Sequence, residues 1–188
     1  AQVTFLVDDI EIPDERFQSF TNIPTVWGAI FDPPVIFYTK SNKRKGVLPV
    51  VEKEILSQIK LNNKEREWFL VPVLVAELLV YVFVHREYLS HAAGLGNLFQ
   101  FADIVDIKSK KASGVLIFGL PVEKIPDYKT EWKNGVVFKD GELYVGVIPA
   151  LDENDYFGYM KKTMLTLHNL IRIDQGRLPV HGSMARIV

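Results

Sequence analysis

Apolar positions along the chain follow two periods. Residues 69–84 read FLVPVLVAELLVYVFV, an unbroken run rich in Val, Tyr and Phe that predicts buried β-strand. It spans 16 residues and contains Pro72 and Glu77, whereas a membrane-crossing helix needs roughly 20 apolar residues. Residues 3–7 (VTFLV), 35–39 (VIFYT) and 115–120 are shorter strand-like runs. Val136-Val-Phe-Lys and Glu142-Leu-Tyr-Val-Gly-Val-Ile flank Asp140-Gly141, which predicts a hairpin because that dipeptide tolerates the positive φ of a tight turn.

Other segments carry helical spacing. Val51, Ile55 and Ile59 suit one face of an amphipathic helix over 51–59. The stretch HREYLSHAAGLGNLFQF predicts a helix ending near Gly94 to Gly96. Met160, Met164, Leu167 and Ile171 share one face of a helix over about 156–171. The acidic residues Asp152 to Asp155 precede it as capping candidates, and Asp174-Gln-Gly-Arg ends it. Residues 178–188 read as the start of a strand. Turn residues separate the rest, including Asp32-Pro33-Pro34 and the basic loop Ser41-Asn-Lys-Arg-Lys-Gly46. Strands and helices mixed at this density predict an α/β (α+β) domain with a mixed β-sheet and flanking helices.

Composition narrows the function. The formal net charge is -1, without the basic excess of most nucleic-acid binders. There is no cysteine, which excludes disulfides and thiolate metal sites and fits a cytoplasmic protein. The opening residues turn acidic within ten positions and lack the pattern of a signal peptide. Neither a nucleic-acid nor a membrane partner is expected.

Two places carry candidate chemistry. Lys161 and Lys162 open a helix among glycine and aromatic residues. Adjacent lysines read either as solvent-facing charge or, if crowded and desolvated, as amines made neutral enough to act as base or ligand. His181 lies in Pro-Val-His-Gly-Ser, where small neighbours leave room beside an imidazole. It reads either as structural or as a metal ligand. Glu77, inside the apolar run, reads as a paired buried carboxylate or as a residue at a strand edge.

These residues form a pattern. Tyr156, Gly158, Met160, Lys161 and Lys162 are followed by Asn169, seven residues beyond Lys162, and by His181 and Ser183. This resembles the Y-x-G-E-M-K-K, Asn and M-H-x-S segments of ATP-dependent phosphoenolpyruvate carboxykinases. A weaker similarity runs upstream, through the strand and helix ending in Asn97-Leu-Phe99. The resemblance covers roughly 78–188 and is strong from Tyr156 onward. It implies a fold like the N-terminal domain of those enzymes over 1–174, and the first strand of a nucleotide-binding domain over 175–188. It implies Mn²⁺ or Mg²⁺ held by Lys162 and His181, Lys161 as the catalytic lysine on the transferring phosphoryl group with Lys162 beside it, and Tyr156 at a phosphoenolpyruvate- or oxaloacetate-like substrate. ATP would bind mainly to residues beyond this sequence, because no G-x-x-x-x-G-K-[ST] phosphate loop occurs in it. The chain therefore reads as the N-terminal portion of a phosphoryl-transfer enzyme (lyase or kinase), not active by itself.

Departures from the pattern keep other readings open. Tyr159 stands where the family has glutamate, Gly182 stands where it has cysteine, and no arginine motif for the substrate carboxylates is visible, Arg44 being the nearest. Val180-His181-Gly182 also resembles the His-Gly pair of HPr kinases. A non-catalytic binding module that retains the fold is the third reading.

Overall fold

A computed structural model describes residues 2–180 and 182. The strands are β1 (Val3–Asp8), β2 (Phe20–Thr21), β3 (Thr25–Phe31), β4 (Val50–Glu52), β5 (Leu61–Asn62), β6 (Trp68–Val75), β7 (Leu78–His85), β8 (Gln100–Phe101), β9 (Gly114–Leu120), β10 (Val136–Asp140) and β11 (Leu143–Pro149). The helices are α1 (Ser90–Leu98), α2 (Ile104–Ser109) and α3 (Phe157–Asp174). The main sheet runs β1-β3-β6-β7-β9-β11-β10-β4, with β8 added beside β6. Pairings of both senses make it mixed, so the α+β class holds. No helix among the described residues is long and apolar enough to cross a membrane.

The long apolar run is two strands. Ala76 and Glu77 turn it back on itself, and β6 pairs antiparallel with β7 along its whole length. Glu77 sits exposed in that turn, 3.4 Å from Arg172, so it is not a buried carboxylate. Pro72 has a definite place. In the parallel β3–β6 ladder, Leu70 N donates to Pro24 O, and the next donor in step is residue 72, which has no N–H. Pairing with β3 stops at Thr25↔Leu70. The far part of the β1–β3 ribbon therefore leaves β6, with Trp27 and Ile30 exposed.

The centre is a parallel trio, β7, β9 and β11, and it is buried on both faces as such strands require. One face carries Phe17, Tyr81, Phe83, Ile117 and Val147. The other packs Val82, Leu116 and Phe118 under Met160, Met164 and Leu167 of α3. The helical face read from the sequence is thus the face that docks. Gly146 of β11 lets the helix come close: a Cβ there would stand 2.6 Å from Thr163 Cγ2.

Several local expectations are corrected. Residues 51–59 are not a helix. Val50–Glu52 pairs with β10 instead, and the Asp140 carboxylate accepts from both Ile55 N and Leu56 N at 2.9 Å, which starts a single 3₁₀ turn (Leu56–Gln58). Ile55 and Ile59 are buried all the same. Residues 35–39 form no strand, and Ile36, Phe37 and Tyr38 are exposed. Helix α1 continues through both glycines to Leu98, since Gly94 is packed beneath the Phe157 ring. The hairpin is present, with Gly141-Glu142 as its two loop residues between the paired Asp140 and Leu143. Of the strand expected over 178–188, residues 178–180 are irregular. Residues 181 and 183–188 lie outside the described residues, and the expected second domain rests on them.

Candidate functional site

The opening of α3 gathers most of the motif residues. Tyr156 is the N-cap in extended conformation, with no side-chain cap bond. Its ring folds back over Gly158, where any Cβ would collide with the Tyr156 ring edge; glycine at this position is what lets the tyrosine lie there. Met160 is fully buried, while Lys161 and Lys162, the next two positions, are exposed. The helix thus anchors through the methionine and presents both ammonium groups outward. No ion pair holds either lysine among the described residues. The desolvation that the neutral-amine reading requires is not supplied by these surroundings.

The acidic lead-in does not cap α3 as expected. Residues Asp152–Asn154 form a 3₁₀ turn, and Asp155 reaches sideways. Its Oδ1 lies 2.9 Å from His91 Nε2, and its Oδ2 accepts from Lys40 N at 3.1 Å. Its carbonyl accepts from Ser41 N at 3.3 Å. A further bond pins the same loop, from Lys45 N to Tyr159 Oη at 2.9 Å. The basic loop at residues 40–46 is therefore seated on the opening of the lysine-bearing helix. Nothing local in the sequence signalled this, because the partners are more than 110 residues apart. Tyr159 and Asp155 together carry the contact.

Beneath the loop lies a knot of buried amides. Asn134 Nδ2 approaches Asn154 Oδ1 at 3.2 Å and Tyr159 Oη at 3.3 Å. Asn154 Nδ2 donates to Lys133 O at 2.8 Å and to Pro149 O at 2.9 Å. The knot ties the end of β11 to the opening of α3 and fixes where Tyr156, Lys161 and Lys162 begin. Arg44 is half-buried, and its Nη1 donates to Gly46 O at 3.0 Å within its own loop.

His91 is almost wholly buried. Burial pushes its imidazole below the ordinary value of 6.5, against the pull of the Asp155 carboxylate. A histidine held neutral in the fold takes up its proton more readily when unfolded, so the unfolded state binds more protons below that value. Stability should therefore fall as pH drops through about 6.5. Urea unfolding of the native chain and of His91→Gln between pH 5 and 8 tests this (roughly the range of histidine titration). The native chain should lose more stability than the variant on acidification, and parallel profiles would remove His91 as the cause.

His181 lies outside the described residues, so of the two ligands implied for the metal only Lys162 can be placed. No group of three or more His, Cys, Asp or Glu among the described residues could hold a metal ion. Asn169 lies part-exposed on α3, with His168 Nδ1 3.3 Å from its Oδ1. Comparison with family models, curated proteins and solved structures gave no match.

Proposed function

We propose that this chain is the substrate- and metal-side portion of a phosphoenolpyruvate carboxykinase-like, ATP-dependent phosphoryl-transfer enzyme. The reading is carried by one observation. The loop containing Lys43, Arg44 and Lys45 is bonded to the helix opening that bears Tyr156, Lys161 and Lys162. Cations from two distant segments thus share one end of the fold.

Phosphoryl transfer asks little covalent chemistry of a protein; it asks for fixed positive charge where negative charge develops. Lys161 serves that purpose on the transferring group. Lys162, together with His181, holds Mn²⁺ or Mg²⁺, and Tyr156 lies against a carboxylate-bearing substrate of the phosphoenolpyruvate or oxaloacetate type. The basic loop supplies positive charge for the substrate carboxylates in place of the absent arginine motif. The nucleotide phosphates need a loop that this sequence does not contain.

In the full-length protein, Lys162→Ala and His181→Ala should each weaken Mn²⁺ binding by roughly tenfold or more, measured by titration calorimetry. Lys161→Ala should slow phosphoryl transfer while leaving Mn²⁺ affinity unchanged. Metal affinity indifferent to both ligand substitutions would end this reading. A full-length protein that binds neither Mn²⁺ nor ATP would be a non-catalytic module instead.

A further inference from the structure

A cleft of about 700 Å³ opens on the sheet face opposite α3, within the usual size range of small-molecule sites. The apolar surface it offers comes from part-exposed Phe20, backed by the buried rings of Phe17 and Phe83. Phe20 meets Phe83 edge-on with ring centres 4.7 Å apart, and Phe17 lies 5.9 Å from Phe20. Ile10, Ile12 and Ile23 extend the apolar lining. Phe20 is held in place, because Phe17 and Phe83, which pack against it, belong to the buried core.

The rim is charged with both signs. Asp9 and Glu11 come from the segment after β1, and Lys64 and Arg66 from the turn before β6. All four are exposed, and none pairs with another within 4.0 Å among the described residues.

The basic rim is locked in place. Buried Asn63 donates to Asn22 O and Trp68 O and accepts from Trp68 N. Arg66 N donates to Asn63 O at 3.3 Å. Asn22 and Arg66, both lining the cleft, have φ of 58° and 52°, a conformation costly for arginine and retained where surrounding bonds enforce it. Next to Pro24 of the cleft wall, the buried Thr25 hydroxyl has no partner. Thr25 stands opposite Leu70, and Leu70 opposite Phe83, so its side chain shares the face of the cleft floor.

We propose that this cleft binds a free α-amino acid with an aromatic or branched apolar side chain. The side chain meets Phe20 and the isoleucines Ile10, Ile12 and Ile23. The carboxylate faces Lys64 and Arg66, where a guanidinium can grip it through two bonds, and the ammonium faces Asp9 and Glu11. A zwitterion satisfies both rims at once, which a singly charged ligand does not. The site is separate from the lysine-bearing helix and does not depend on the carboxykinase reading.

Calorimetric titration with L-phenylalanine and L-leucine tests the assignment, alongside 3-phenylpropionate and phenethylamine, which each keep one charge. Saturable binding of an amino acid is expected, with both analogues weaker by about tenfold or more. The double change Lys64→Ala with Arg66→Ala should weaken the amino acid by a similar factor. So should Asp9→Asn with Glu11→Gln. Absence of saturable binding at roughly 10 mM, equal binding of either analogue, or indifference to both rim variants would overturn it. The analogue series uses the unaltered protein, so it decides even if a variant misfolds.

Discussion

Replacing Asn154 with alanine should lower the unfolding free energy by about 3 kcal/mol, a large share of the stability of a domain this size. The side chain is wholly buried. Its amide is the donor for two carbonyls, Lys133 O and Pro149 O, and its oxygen accepts from Asn134 Nδ2. Alanine removes all three bonds; Asn134 Nδ2 keeps Tyr159 Oη and Pro149 O keeps Leu151 N, whereas Lys133 O loses its side-chain donor. Each lost bond costs roughly 0.5–1.5 kcal/mol and a stranded buried polar group roughly 1–3 kcal/mol, which together set the expected loss. Urea titration at neutral pH measures it: the midpoint should drop with little change in slope. A loss below about 1 kcal/mol would mean that the knot behaves like a surface contact. Because it sets the opening of α3, the same substitution should also loosen the seating of the basic loop.

Gly146→Val should cost about as much, roughly 3 kcal/mol, although two local effects favour valine. A strand position gains up to about 1 kcal/mol from a β-branched residue, and removing glycine restricts the unfolded chain by roughly 0.4–1 kcal/mol. Against these stands a Cβ only 2.6 Å from Thr163 Cγ2, with two further carbons behind it. The helix cannot retreat, because Met160 and Met164 on either side of the contact are fully buried, and overpacking of this kind costs 1–3 kcal/mol or more (roughly). The sign therefore follows packing, not propensity. A Thr163→Ala background should recover at least about 1 kcal/mol of the loss, a coupling that a double-mutant cycle reads directly. Stabilisation by the single substitution would show that the close approach of α3 to β11 is wrong.

Features with short-range physical causes were legible in the sequence. The Asp140-Gly141 turn signal between two apolar runs gave the hairpin, and 3.6-residue spacing gave the docked face of α3. The apolar run was recognisable as strand by its residue types, although its division at Ala76-Glu77 lacks a Gly or Pro marker. What misled was spacing that suited two structures. Val51, Ile55 and Ile59 satisfy a helical stripe, yet β10 claims Val50–Glu52 and the Asp140 carboxylate ends the choice. Gly94 and Gly96 look like a helix stop but serve packing. Of the candidate site, the helix bearing Tyr156, Lys161 and Lys162 was readable, whereas the seat of the basic loop was not. It depends on Tyr159 and Asp155 meeting backbone amides across most of the chain, and no pattern within either segment encodes that meeting.

The pairing of Val50 with Val137, and of the Lys45 amide with Tyr159, bears on how the protein is made. A ribosome delivers the first member of each pair long before the second. Until β10 and α3 emerge, the basic loop and β4 have no place to settle, and the apolar strand β9 waits without the helix that packs over it. Completion of the sheet thus waits for β10 and α3, and the nascent intermediate before them is exposed to aggregation.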